Sequence, residues 1–162
     1  MDPARPTPPS LGPRGEGWVA LQVLLLVAFA LTAFLAPGWP APVRTAGDVL
    51  SPVAVVPGFA LLIAGLRHLG GALTPYPKPA DGAAMTDAGA YRLVRHPMYG
   101  GGLLLCAGVA LATSPWALAS VAALALLFEA KSRREEAWLV QAYPGYEAYR
   151  SRVRRRFVPF VW

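Results

Sequence analysis

The sequence predicts an all-α, multi-pass membrane protein with four transmembrane helices, the last two a short helical hairpin, followed by a cytoplasmic C-terminal helical segment. Three observations carry that prediction. Hydrophobic residues make up 55% of the 162-residue chain and charged residues only 15%, against roughly 25% charged in a soluble domain. The apolar residues are gathered into uncharged runs of membrane-crossing length. The lysines and arginines cluster beside the ends of those runs, almost all on one side.

Taken in order, residues 1–17 are rich in proline and glycine with scattered charges, and predict a flexible N-terminal tail. Residues 18–162 then form a single membrane domain. Trp18 to Ala36 is uncharged and close to the ~20 residues a membrane helix needs. It exceeds the roughly 7–15 residues of a signal-peptide core, and Pro37 would follow any cleavage site, so it reads as a retained first helix, about 18–36. A connector with three prolines and Arg44 leads to a second uncharged run bounded by Asp48 and Arg67, predicting a helix over about 49–69. Pro52 is tolerable near its start, whereas Pro57 is expected to kink it. Gly70 to His96 turns to Gly, Pro, Asp and Arg, a long loop of the kind that usually carries function.

From Gly100 to Phe128 there is no charge, but one helix of that length would measure about 43 Å, too long for a ~30 Å hydrocarbon core. Thr113, Ser114 and Pro115 supply a break, giving helices over about 97–113 and 115–142 whose polar ends extend on one side. Residues 143–162 form the C-terminal segment. Arg5, Arg14, Arg67, Lys78, Arg92, Arg95, Lys131, Arg133 and Arg134 flank the same side of the four helices, while the opposite loops hold only Arg44. Both termini are therefore expected in the cytoplasm, with the chain in a bacterial cytoplasmic membrane.

The net charge of +6 does not imply nucleic acid, because the basic residues lie beside apolar runs and suit anionic headgroups. Cys106 is the single cysteine, so neither a disulfide framework nor a thiolate metal site can be built. Two distant histidines do not supply metal-ligand spacing. His68, beside Arg67 at a helix end, reads as interfacial.

Two constellations converge on the cytoplasmic face. In the first, running from Gly89 to Gly100, Pro97 suits the first turn of a helix whose unpaired N–H groups can meet an anionic or polar ligand, with Arg95 and His96 as side-chain donors. Gly100, Gly101 and Gly102 remove side chains from a whole turn. That space suits either a cofactor or close helix packing. In the second, Glu129 to Leu139, Lys131 and Glu135 lie one turn apart on the polar continuation of the last helix. A salt-bridged helix end and a functional site both fit, and Glu129 is the deepest ionisable residue of the group.

In order along the chain, Leu73-Thr74-Pro75, Gly89-x-Tyr91, Arg95-His96-Pro97-x-Tyr99, Glu135-Glu136-x-x-Leu139 and Tyr146-x-x-Tyr149 before Phe157-Val-Pro159 resemble the isoprenylcysteine carboxyl methyltransferase and phospholipid methyltransferase group of membrane enzymes. The resemblance implies S-adenosylmethionine as cofactor, held by Met85, Thr86, Tyr91, Arg95, His96, Pro97, Met98, Tyr99, Gly101, Glu135 and Glu136. It also implies Lys131 and Glu135 as the residues nearest the reaction. The group's substrate-side arginine falls on Lys131, which keeps the charge but lacks the bidentate fork that suits a carboxylate. The implied partners are a lipophilic or small methyl acceptor and membrane lipids. A phospholipid amine, a thiol, an isoprenoid or prenylated carboxylate and a small hydrophobic alcohol all stay open as acceptors. So do two alternatives to methyl transfer: a fold-related protein with reductase-like chemistry, although no dinucleotide fingerprint is present, and a non-catalytic lipid-binding role. The arginine-rich tail, ending in Phe157 to Trp162, is equally consistent with a lid over the cofactor and with a lipid anchor.

Overall fold

A helix α1 (Glu16–Phe34) begins immediately after Gly15, whose backbone sits in the left-handed region at φ 87°, a conformation glycine adopts without steric penalty. In the computed structural model, which describes residues 6–162, four more helices follow: α2 (Ala41–Leu69), α3 (Pro97–Thr113), α4 (Pro115–Ala142) and α5 (Tyr146–Arg152). There is no strand among the described residues. The all-α class and the α3–α4 hairpin are as predicted.

Two expectations are corrected. The second helix starts at Ala41 rather than near residue 49, because Pro42 occupies the first turn, where its missing N–H removes no helical bond. Arg44 and Asp48 remain exposed on the helix surface instead of ending it. The helix also runs unbroken through Pro52 and Pro57. The expected tail is the second difference: its first five residues lie outside those described, but Pro9 to Gly17 are held against the body. Trp18 Nε1 donates to the Pro9 carbonyl at 3.1 Å, and Lys78 N–H donates to the Arg14 carbonyl at 3.3 Å.

The hairpin corner shows why α3 ends where it does. Ser114 adopts an extended backbone, and its hydroxyl accepts from the Trp116 N–H at 3.3 Å while donating to the Pro37 carbonyl at 2.8 Å. A serine cap followed by proline stops one helix and starts the next. Trp39 Nε1 adds a bond to the Ala110 carbonyl at 2.9 Å, tying the α1–α2 connector to the same corner.

In space the helices pack in the order α1, α4, α3, α2, with α3 also touching α1 and making its most extensive interface with α2. At its glycines the α2–α3 interface brings backbone against backbone. A Cβ on Gly101 would lie 2.7 Å from the Gly58 carbonyl oxygen and 2.6 Å from the Leu62 nitrogen, and one on Gly108 would lie 2.9 Å from the Ser51 carbonyl oxygen. Small residues permit this approach, which is how helices associate where lipid removes the hydrophobic drive. Gly101→Val is accordingly expected to destabilise the protein by about 1–3 kcal/mol, read as a lowered unfolding temperature in detergent.

Helices α1 and α2 are long and apolar enough to cross a membrane, and only 17% of each apolar window is covered by the rest of the protein. A core helix of a soluble protein would be mostly covered. Leu24, Phe34, Val53 and Val56 project outward, an apolar surface that water would not tolerate. Helix α3 is shorter and apolar, and α4 turns charged from Glu129 onward. That charged half, the loop 73–96, α5 and the C-terminal segment gather at one end of the bundle.

Candidate functional site

At this end, His96 caps α3 and Pro97 opens it, so the sequence Arg95-His96-Pro97 fixes where two side chains leave the backbone. The C-terminal segment docks against that turn: the N–H of Arg95 donates to the Arg155 carbonyl at 3.0 Å and that of His96 to the Arg156 carbonyl at 2.8 Å. Phe157 is fully buried, and its carbonyl occupies the place a side chain on Gly100 would need.

Behind the turn lies a buried ion network centred on Glu136. Its Oε1 accepts from Arg95 Nε at 2.9 Å, His96 Nε2 lies 3.1 Å away, and Arg156 approaches the same carboxylate at 3.3 Å. Arg95 also donates to the Val153 and Arg154 carbonyls, both at 2.8 Å, and Arg156 pairs with Glu129. Burial alone would raise the Glu136 carboxyl, but the hydrogen bond and charge of His96, with Arg156 and Arg95, hold it well below the usual carboxylate range. The network thus joins α3, α4 and the C-terminal segment with a fixed charge.

On the other side of Arg95 and His96 is a cavity of about 1020 Å³, its open mouth included. His96, Tyr99 and Phe128 stack in succession along one wall, with ring centroids 5.4 and 4.7 Å apart. Glu135 Oε2 accepts from the Tyr99 hydroxyl at 2.7 Å, leaving its second oxygen without a protein partner among the described residues. Lys131, 2% exposed, donates from Nζ to Gln22 Oε1 at 2.6 Å and sits 5.1 Å above the Tyr99 ring.

The loop 73–88 forms the opposite wall. Arg14 stacks 4.1 Å over Tyr76, and the Tyr143 hydroxyl donates to the Ala83 carbonyl at 2.8 Å. Tyr91, Tyr146 and Tyr149 complete the lining. Burial pushes all three phenols above their ordinary range, nearby carboxylates adding to it at Tyr91 and Tyr146 and the charge of Arg95 opposing it at Tyr149, so the hydroxyls keep their protons. The Tyr149 hydroxyl bonds the Tyr91 carbonyl at 2.7 Å. Tyr149→Phe is expected to cost about 1–3 kcal/mol by orphaning that carbonyl, measurable as a shift in thermal unfolding.

Of the residues singled out in the sequence, Met85, Thr86, Tyr91, Arg95, His96, Met98, Tyr99, Lys131 and Glu135 line this cavity. Pro97, Gly101 and Glu136 do not. Pro97 is buried in the helix start, Glu136 faces the ion network, and Gly101 is filled by α2. The glycine turn therefore serves packing: Gly100 receives the C-terminal segment, Gly101 receives α2, and nothing lies within 4 Å of a Cβ at Gly102. Gln22 and Tyr76 were missed. Gln22 is the one polar side chain between Trp18 and Leu31, a signal present in the sequence. Among the described residues no cluster of His, Cys, Asp or Glu could hold a metal ion.

An all-helical bundle with apolar outer faces and a polar, aromatic-lined cavity at one end defines a membrane protein built around a ligand site. Residues 48–145, more than half of the chain, match the model of the phospholipid methyltransferase family. The chain belongs to that family and is, in general terms, a membrane methyltransferase. A comparison with curated proteins finds no match.

Proposed function

We propose that the protein is an S-adenosylmethionine-dependent methyltransferase that methylates a lipophilic or small acceptor at the cytoplasmic face of the membrane. The observation that supports this most is the convergence in one cavity of Met85, Thr86, Tyr91, His96, Tyr99 and Glu135 from three separate parts of the chain. The donor set fits the cofactor. Glu135 has a carboxylate oxygen available for an ammonium or hydroxyl group, and the protonated tyrosines offer hydroxyl donors. The aromatic lining, with Tyr91 and Tyr146 in it, suits a cation. When bound, S-adenosylmethionine supplies a methyl group on a sulfonium sulfur that leaves as a neutral thioether.

The protein's part is binding, orientation and exclusion of water. No general base is required by the arrangement, and positioning reactants in a water-poor pocket lowers the barrier by itself. Gln22 on α1 and Leu69 on α2 both line the cavity, while α1 and α2 pack on α4 and α3 rather than on each other. The acceptor therefore enters from lipid between α1 and α2, and the cofactor from the aqueous side.

Lys131 orients the acceptor. Its ammonium is buried, bonded to a neutral amide, and has no carboxylate at ion-pair distance among the described residues. Its remaining donors suit an anionic or electron-rich end of the acceptor. The test is transfer of label from methyl-labelled S-adenosylmethionine to a panel holding a phospholipid amine, a prenylated carboxylate and a lipophilic thiol. Label is expected in an extractable product, with kcat/KM about tenfold lower or worse in Lys131→Met. Absence of product from every class, by protein that binds the cofactor, would remove the proposed reaction.

A further inference from the structure

A second cleft, of about 1690 Å³ with its open side included, lies behind the Glu136 network and shares only Arg95 with the cavity among its lining residues. It is built from the charged half of α4, α5 and the start of the C-terminal segment, with Arg95 and with Pro6 and Thr7 of the N-terminal segment at its edge. Five arginines and three glutamates line it. Each glutamate is already engaged: Glu136 with Arg95 and Arg156, Glu129 with Arg156, and Glu147 with Arg150 at 3.1 Å. Arg133 and Arg154 are left with no carboxylate partner among the described residues. Arg133 is part-exposed and Arg154 exposed, so both guanidinium groups can reach a ligand in the cleft.

Two unbalanced guanidiniums in a preformed concavity, beside others held in place by carboxylates, make a receptor for a tetrahedral oxyanion. The position of the cleft selects among such anions. The segment that supplies Arg154 and Arg156 continues into Phe160, Val161 and Trp162, which are exposed, Phe160 to 87%. Exposed aromatics following arginines belong at the headgroup level of an anionic leaflet. We propose that this cleft binds the phosphate group of an anionic membrane lipid, at a site separate from the methyl-transfer cavity, with Arg133 and Arg154 as its principal contacts.

The test is native mass spectrometry of the detergent-purified full chain titrated with phosphatidylglycerol and with phosphatidylcholine, then with inorganic phosphate as competitor. Three proteins are compared: wild type, Arg133→Gln/Arg154→Gln, and Arg67→Gln/Arg92→Gln, which removes the same charge outside the cleft. Phosphatidylglycerol is expected to bind the wild type about tenfold tighter than phosphatidylcholine, with the preference lost in the cleft variant and kept in the control. Unfolding temperatures of the variants are expected to match the wild type, since neither arginine of the cleft pair holds a structural ion pair. Equal binding to all three proteins, or equal loss in both variants, would overturn the site. Displacement of the lipid by millimolar phosphate acting on the same arginines would keep the phosphate receptor and overturn its assignment to lipid.

Discussion

Glu136→Ala is expected to destabilise the protein by about 3–5 kcal/mol, the usual consequence of removing one partner from a buried ion network and leaving the others uncompensated. Arg95, His96 and Arg156 all converge on this carboxylate, whose side chain is 5% exposed. The arginines then lose the charge that offsets their burial, and Arg156 of the C-terminal segment loses one of the two α4 carboxylates that hold it. Thermal unfolding in a single detergent reads the effect, and a change below about 1 kcal/mol would show that the network is incidental. The same network gives a pH dependence. A carboxyl held below its unfolded value contributes stability that is fully present above that value and is lost as pH falls through the lowered folded value. Wild-type stability should therefore decline progressively once pH falls below the range that titrates an ordinary glutamate, and Glu136→Gln should abolish that part of the profile.

Glu135→Gln is expected to behave differently although it alters the neighbouring residue. Glu135 lies on the cavity side of α4, bonded to the Tyr99 hydroxyl and absent from the arginine network. Loss of a charged hydrogen-bond acceptor is worth about 1.5–3 kcal/mol, so cofactor affinity should fall by about ten- to a hundredfold while unfolding temperature changes little. Tyr99→Phe removes the bond that orients Glu135 and should lower affinity by a smaller factor. If the two acidic variants instead lost stability and binding in parallel, the division of labour between Glu135 and Glu136 would be wrong.

That division was not legible in the sequence. Two adjacent glutamates on a helix point about 100° apart, but which one meets solvent and which meets Arg95 depends on where the C-terminal segment lies. The periodic features were legible. Pro97 and the Ser114-Pro115 pair mark helix boundaries by local chemistry, and α3 and α4 begin where those signals stand. The start of α2 was hidden because Asp48 read as the edge of an apolar run and Arg44 as part of a proline-rich connector, although a helix can carry exposed charges beyond its apolar portion. The glycine turn allowed two readings that composition could not separate. Only the positions of α2 and Phe157 decide that Gly100 and Gly101 serve packing. Among the five arginines of the tail, none carries a local mark distinguishing Arg156, which enters the Glu136 network, from Arg154 and Arg155, which stay exposed.

The central claim is that the cavity lined by His96, Tyr99 and Glu135 holds S-adenosylmethionine, and calorimetric titration of the cofactor into detergent-purified protein tests it most directly. Saturable one-site binding by the wild type, weakened in both Glu135→Gln and His96→Ala while both variants remain folded, is the predicted result. Absence of binding by folded wild type, with acceptor lipids also present, or affinity unchanged in both variants, would contradict it.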